Sequence, residues 1–181
     1  MKRIQKMLLA AVLLAGLLAA CGEEQTYGSF SMPADEAVAA LQTDLEQAGY
    51  AGLFADTPEQ EDVEGDSDRP DSLRRTYLAE GMVLETYSLA QDSQLYQIVL
   101  MAEMQAMEGR EEVLQQTFDW FVRTFESQDG QALREELNLS SLEDGADAQA
   151  EGTDANWIYF IEDGFLFLSV TSRDYVESVE G

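Results

Sequence analysis

The segment Asn156–Val170, NWIYFIEDGFLFLSV, constrains the fold more than any other. Asp163-Gly164 divides two apolar runs. A two-residue type I′ turn needs φ > 0 at both central positions, which Asp-Gly tolerates, and its twist matches that of the flanking strands. Closing this turn sets Ile161 opposite Leu166, Tyr159 opposite Leu168 and Trp157 opposite Val170 on one face. The other face carries Phe160 with Phe167 and Ile158 with Ser169. Both faces are largely apolar, so the hairpin is expected in the middle of a sheet, covered on both sides or nearly so.

A second strand pair is predicted over Met82–Ala90 and Leu95–Met104, joined through Gln91–Gln94. Tyr96, Ile98, Leu100, Ala102 and Met104 alternate there with Gln97, Val99, Met101 and Glu103, a period of two. Between the pairs, Val113, Leu114, Thr117, Phe118, Trp120, Phe121, Val122 and Phe125 fill one wide arc of a helical wheel. This helix is expected from near Arg110 to near Ser127, with Glu111 and Glu112 in its first turn, where the dipole favours acids. An earlier helix is expected over about 33–48. Pro33 suits its first turn, Val38, Leu41, Leu45 and Ala48 share a face, and Gly49 stands at its stop. Residues 55–71 are acidic with few large apolar groups and read as an exposed loop. Residues 71–79 read as a short helix with Leu73, Tyr77 and Leu78 inward, with a strand as the other option. A helical turn over 131–137 and a polar stretch over 138–155 complete the chain. The fold class expected is α+β: a mostly antiparallel sheet of about four strands in two hairpins, packed with two to three helices in the order α-(α)-β-β-α-β-β.

The N-terminus carries Lys2, Arg3 and Lys6, then an uncharged apolar run from Met7 to Ala20. That run is short for a transmembrane helix, which needs about 20 apolar residues, and it has the layout of a signal peptide. Leu18-Ala19-Ala20-Cys21 resembles the lipobox of bacterial lipoproteins, against the alternative of an ordinary secretory signal with an incidental cysteine. The resemblance implies cleavage after Ala20, a diacylglyceryl thioether on Cys21, and a membrane-anchored chain facing the extracytoplasmic side. Two acyl chains suffice for stable anchoring where one is marginal. Gly22 follows the cysteine, so nothing resembles an inner-membrane retention signal. The organisation expected is a signal peptide at 1–20, a lipidated tether at 21–30 and one acidic α+β domain at 31–181. Residues 71–172 also resemble a family of small lipoprotein domains of unknown function from Gram-positive bacteria. The likeness rests on the Leu73–Tyr77 segment, the Tyr96–Met104 strand, the aromatic helix and the 156–170 hairpin. It implies a fold and an address rather than an activity.

The sequence beyond residue 20 retains all 36 acidic residues and loses three of the ten basic ones, so seven arginines remain and its side chains sum to −29. Such a field repels phosphate backbones, which argues against nucleic-acid binding, and it attracts cations and basic partners. Histidine is absent, lysine does not recur after Lys6, and Cys21 is the only cysteine. With Cys21 acylated, the domain holds no disulfide, no cysteine-based metal site and no histidine, lysine or thiol catalyst. No cofactor is implied.

Carboxylates remain. Paired acids can act as a glycosidase does, but so many acids bring some pair to that spacing by chance. Asp62, Glu64, Asp66 and Asp68, around Gly65, form a carboxylate-rich segment of the kind calcium favours. Glu143-Asp144-Gly145-x-Asp147 forms another, and neither has EF-hand spacing. Met101, Met104 and Met107 recur at the spacing of copper motifs. The first two would face opposite sides of a strand, however, and methionine commonly fills core gaps. Trp120 and Trp157 are assigned to the edge of the core, with exposed recognition anchors as the alternative. The function expected is a non-enzymatic, lipid-anchored module that binds a protein partner or cationic ligand at the cell envelope. The alternative is a carboxylate-dependent hydrolase of envelope glycans.

Overall fold

The computed structural model describes residues 27–51, 59–63, 71–89 and 93–180. Helix α1 (Ala34–Leu45) runs into a π-helical turn (Glu46–Tyr50), then come β1 (Glu59–Val63), β2 (Asp71–Ala79), β3 (Met82–Leu89) and β4 (Leu95–Glu103). Helices α2 (Glu111–Phe125) and α3 (Gly130–Glu136) follow, then β5 (Asp147–Glu151), β6 (Ala155–Glu162), β7 (Phe165–Ser172) and a terminal helix α4 (Arg173–Glu180).

The strands form one antiparallel sheet in the order β1-β2-β3-β4-β7-β6-β5. The expected four strands with two to three helices are therefore corrected to seven strands with four helices among the described residues, and the element order changes with them. Residues 71–79 form a strand, not a helix. The expected loop at 55–71 contains β1, and the polar stretch at 138–155 contains β5. Of the three added strands, β1 and β5 are the sheet edges. Their sequences, EQEDV and DAQAE, are acidic, and charge on an edge strand discourages pairing with another chain.

The turn chemistry places the pairings. Asp163 and Gly164 have φ of 55° and 77°, both positive as a type I′ turn requires. Trp157 pairs with Val170, Tyr159 with Leu168 and Ile161 with Leu166, as the hairpin reading expects. Between β2 and β3 the turn is Glu80-Gly81. Gly81 has φ of 73°, and a Cβ there would lie 2.3 Å from that of Ala106, so only glycine fits.

Helices α1, α2 and α3 cover one face of the sheet. The eight residues that α2 buries are the eight of its predicted stripe. Phe118 meets Tyr159 edge-on at 5.8 Å, and Trp120, Phe121 and Phe125 pack against one another. Trp120 and Trp157 are both buried in this core, so neither is an exposed anchor. Glu111 accepts the Gly109 amide at 3.0 Å. Backbone hydrogen bonds at this helix start hold its carboxyl below the usual carboxylate range. The π-helical turn after α1 holds Gly49 in the left-handed region, φ 96°. The outer side of α1 is joined to the sheet edge by Arg74, which holds Asp35 of that helix and Asp62 of β1.

The opposite face is corrected too. It is not covered by α1, α2 or α3: Ile158 and Phe165 are exposed, and Phe160 and Phe167 are only half-buried. The hairpin is apolar on both sides, yet the core uses one.

Candidate functional site

Cys21 with its lipobox, and Glu64, Asp66 and Asp68, lie outside the described residues. Asp62 is described, and it is engaged. It sits in β1 opposite Arg74, whose Nε donates to it at 2.7 Å. In the second carboxylate segment, Asp144 accepts the Gly164 amide at 3.2 Å, and the Gly145 amide donates to the Ile161 carbonyl at 2.7 Å. That segment ties β5 to the β6–β7 hairpin. Among the described residues no group of three or more acids, histidines or cysteines converges as metal ligands do. The three methionines separate: Met101 stands opposite Phe167 on the uncovered face, while Met107 is buried in the core.

A cleft of about 440 Å³ opens near the end of α2, with Arg123, Glu126, Asp154 and Asp174 on its wall. Glu126 is the buried acid there. Its Oε1 accepts the Gln128 amide at 3.2 Å and its Oε2 the Thr153 amide at 2.9 Å. Asp154 in turn accepts the Ser127 amide at 2.7 Å. These two carboxylates clasp the segment after α2 to the β5–β6 turn. Backbone amides thus occupy both Glu126 oxygens.

The uncovered sheet face offers a different surface. Strand alternation lays its residues in rows across the sheet. One row runs Tyr77, Val83, Met101, Phe167, Phe160 and Asp147. The next runs Glu61, Arg75, Glu85, Val99, Ser169, Ile158 and Gln149. The rings of Phe160 and Phe167 stack at 4.8 Å and 17°. Phe165 is 58% exposed and Ile158 38%. Phe165 has Glu103 opposite it on one side and Glu162 on the other. The middle of this face is apolar, and acids stand at its turn end and along β5.

Toward β1, polar groups order the face. Arg75 donates through Nη2 to Glu85 Oε1 at 2.5 Å and through Nε at 3.0 Å. Tyr87 donates to the other Glu85 oxygen at 3.0 Å. The hydrogen bond to Glu85 raises the Arg75 guanidinium above its ordinary value. At the end of the face near Tyr27, α4 stacks Tyr175 on Tyr96 at 4.1 Å, and Tyr96 lies 6.2 Å from Tyr87.

Sequence reasoning assigned Phe160, Phe167 and Ile158 to a covered face, left Phe165 unplaced, and so missed this surface. The signal was in the neighbours. The residues that share the face from β2, β3 and β4 include Arg75, Glu85, Gln97 and Glu103, and a doubly covered sheet does not carry charge at that density. The chain matches no protein-family model, no curated protein and no solved structure.

Proposed function

We propose that the chain is a lipid-anchored, extracytoplasmic module that binds a partner at the cell envelope without catalysing a reaction. The observation that carries the binding half is the row of apolar side chains on the uncovered sheet face, with Phe165 and Ile158 in solvent. Monomeric soluble proteins rarely expose contiguous apolar patches larger than about a few hundred Å² unless they are used. The address rests on Leu18-Ala19-Ala20-Cys21 and the charged, then apolar, segment before it. Composition supports the same reading, since the chain has no histidine, and its only lysines, Lys2 and Lys6, precede the lipobox.

The test is cross-linking of the tethered protein on intact cells, followed by purification at physiological salt. A specific, stoichiometric partner is expected, absent when Ile158 and Phe165 are both changed to serine. Recovery of the protein alone would remove the binding half of the proposal.

A further inference from the structure

We infer that the uncovered sheet face is a docking surface for a basic, amphipathic polypeptide segment of another protein. The inference deepens the binding reading above and rests on it, but not on the lipid anchor. The apolar part of the surface is the Phe160–Phe167 stack with Ile158 beside it and Phe165 at the end. Its border is acidic: Glu103, Asp147 and Glu151 are exposed and Glu162 half-exposed, and none of these four belongs to an ion pair within the described residues. An apolar centre inside a polar rim is the ordinary anatomy of a protein interface, and aromatic anchors dominate the binding energy of such surfaces.

Charge selects the occupant. Five of the six arginines in the described residues already hold carboxylates of this chain: Arg74, Arg75, Arg123, Arg134 and Arg173. The chain thus has few cations left to offer the rim, so complementary charge must come from the partner. A second copy stacked on this face would set acidic rim against acidic rim, which is costly at short range. An anionic bilayer is repelled for the same reason. A segment with apolar residues on one side and lysine or arginine on the other satisfies both parts of the surface.

The experiment uses the full chain in detergent and three synthetic 18-residue peptides with the same helical pattern: Lys/Leu, Glu/Leu and Lys/Ser. The Lys/Leu peptide is expected to bind at least tenfold more tightly than either control. Ile158→Ser with Phe165→Ser is expected to weaken it at least tenfold, and Glu103→Gln with Glu162→Gln several-fold, the latter loss shrinking as salt rises. Circular dichroism and the melting temperature of each variant are measured alongside, because all four positions are solvent-accessible and the fold should survive. Equal binding by the serine variant would show mere attraction to an acidic protein and overturn the inference. So would equal binding of the Glu/Leu peptide. Concentration-dependent dimerisation abolished by the serine substitutions, seen by sedimentation, would assign the face to a second copy instead. Failure of these peptide results with fatty-acid labelling of Cys21 intact would remove the docking surface and leave the envelope address standing.

Discussion

Tyr159 and Phe160 are neighbours in β6 whose rings do opposite work: Tyr159 meets Phe118 edge-on at 5.8 Å under the helices, while Phe160 stacks on Phe167 at 4.8 Å on the uncovered face. Strand alternation alone separates them. One side of the hairpin stabilises the fold, and the other is available for contact with something else.

That division predicts a split in stability. Phe118→Ala removes a ring with no solvent exposure and should cost about 3–5 kcal/mol. Ile158→Ser and Phe165→Ser should each cost less than about 1 kcal/mol, as surface substitutions usually do. Urea unfolding of the three variants measures this. A loss at Phe165 comparable to that at Phe118 would mean the uncovered face belongs to the core.

Arg75 and Glu85 make a second case. The Glu85 side chain is only 10% exposed and that of Arg75 33%, so the pair lies between surface and interior. Arg75→Met should cost about 2 kcal/mol, because it strands a mostly buried carboxylate. Adding Glu85→Leu to that variant should recover much of the loss, since a stranded charge is worse than none. A double-mutant cycle by urea unfolding reads both numbers, and a double variant no better than Arg75→Met would refute the explanation.

The phenol of Tyr159 donates to the Ser141 carbonyl at 2.6 Å, and burial pushes its pKa up to about 12. The unfolded phenol titrates near its ordinary value of 10.0. Between those values the unfolded chain releases a proton that the folded chain keeps, so rising pH favours unfolding. The Tyr159 contribution is whole below pH 10 and is lost as pH climbs toward about 12. Tyr159→Phe should flatten that part of the melting-temperature curve, measured by circular dichroism, while costing about 1 kcal/mol at neutral pH for the lost hydrogen bond. An unchanged alkaline slope would exclude Tyr159 as its source.

Thr76 is buried, and its hydroxyl has no hydrogen-bond partner among the described residues. An unsatisfied buried hydroxyl costs about 1–3 kcal/mol. Thr76→Val keeps the shape and removes the polar atom, so it should raise stability by about 1 kcal/mol in the same unfolding assay. A destabilised variant would mean the hydroxyl is hydrogen-bonded after all.

The parts of the fold legible in the sequence are those where one face dominates. The α2 stripe and the β6–β7 register are of this kind, since each has strong periodicity or an unambiguous turn. The edge strands β1 and β5 were hidden because protection from edge pairing fills them with acids, which resemble loop composition. Strand β2 was hidden by a coincidence of spacing. Leu73, Tyr77 and Leu78 mimic a helical face, but in the strand Leu73 and Tyr77 lie on the uncovered side and Leu78 is buried, beside the bulge between Tyr77 and Ala79. Glu80-Gly81 marked the hairpin, less loudly than Asp163-Gly164. Helix α4 is one short element whose Tyr175, Val176 and Val179 give too little pattern to stand out. The candidate surface was legible residue by residue but not as a surface, because whether an apolar strand face is covered depends on where the helices go.

The most direct measurement on the proposed function is metabolic labelling of the full chain with a fatty-acid analogue in a bacterial expression host, followed by membrane fractionation. The account predicts labelled protein in the membrane fraction, with label and membrane association both lost in Cys21→Ala. Label that persists in Cys21→Ala, or a wild-type chain that is exported without label, would contradict it.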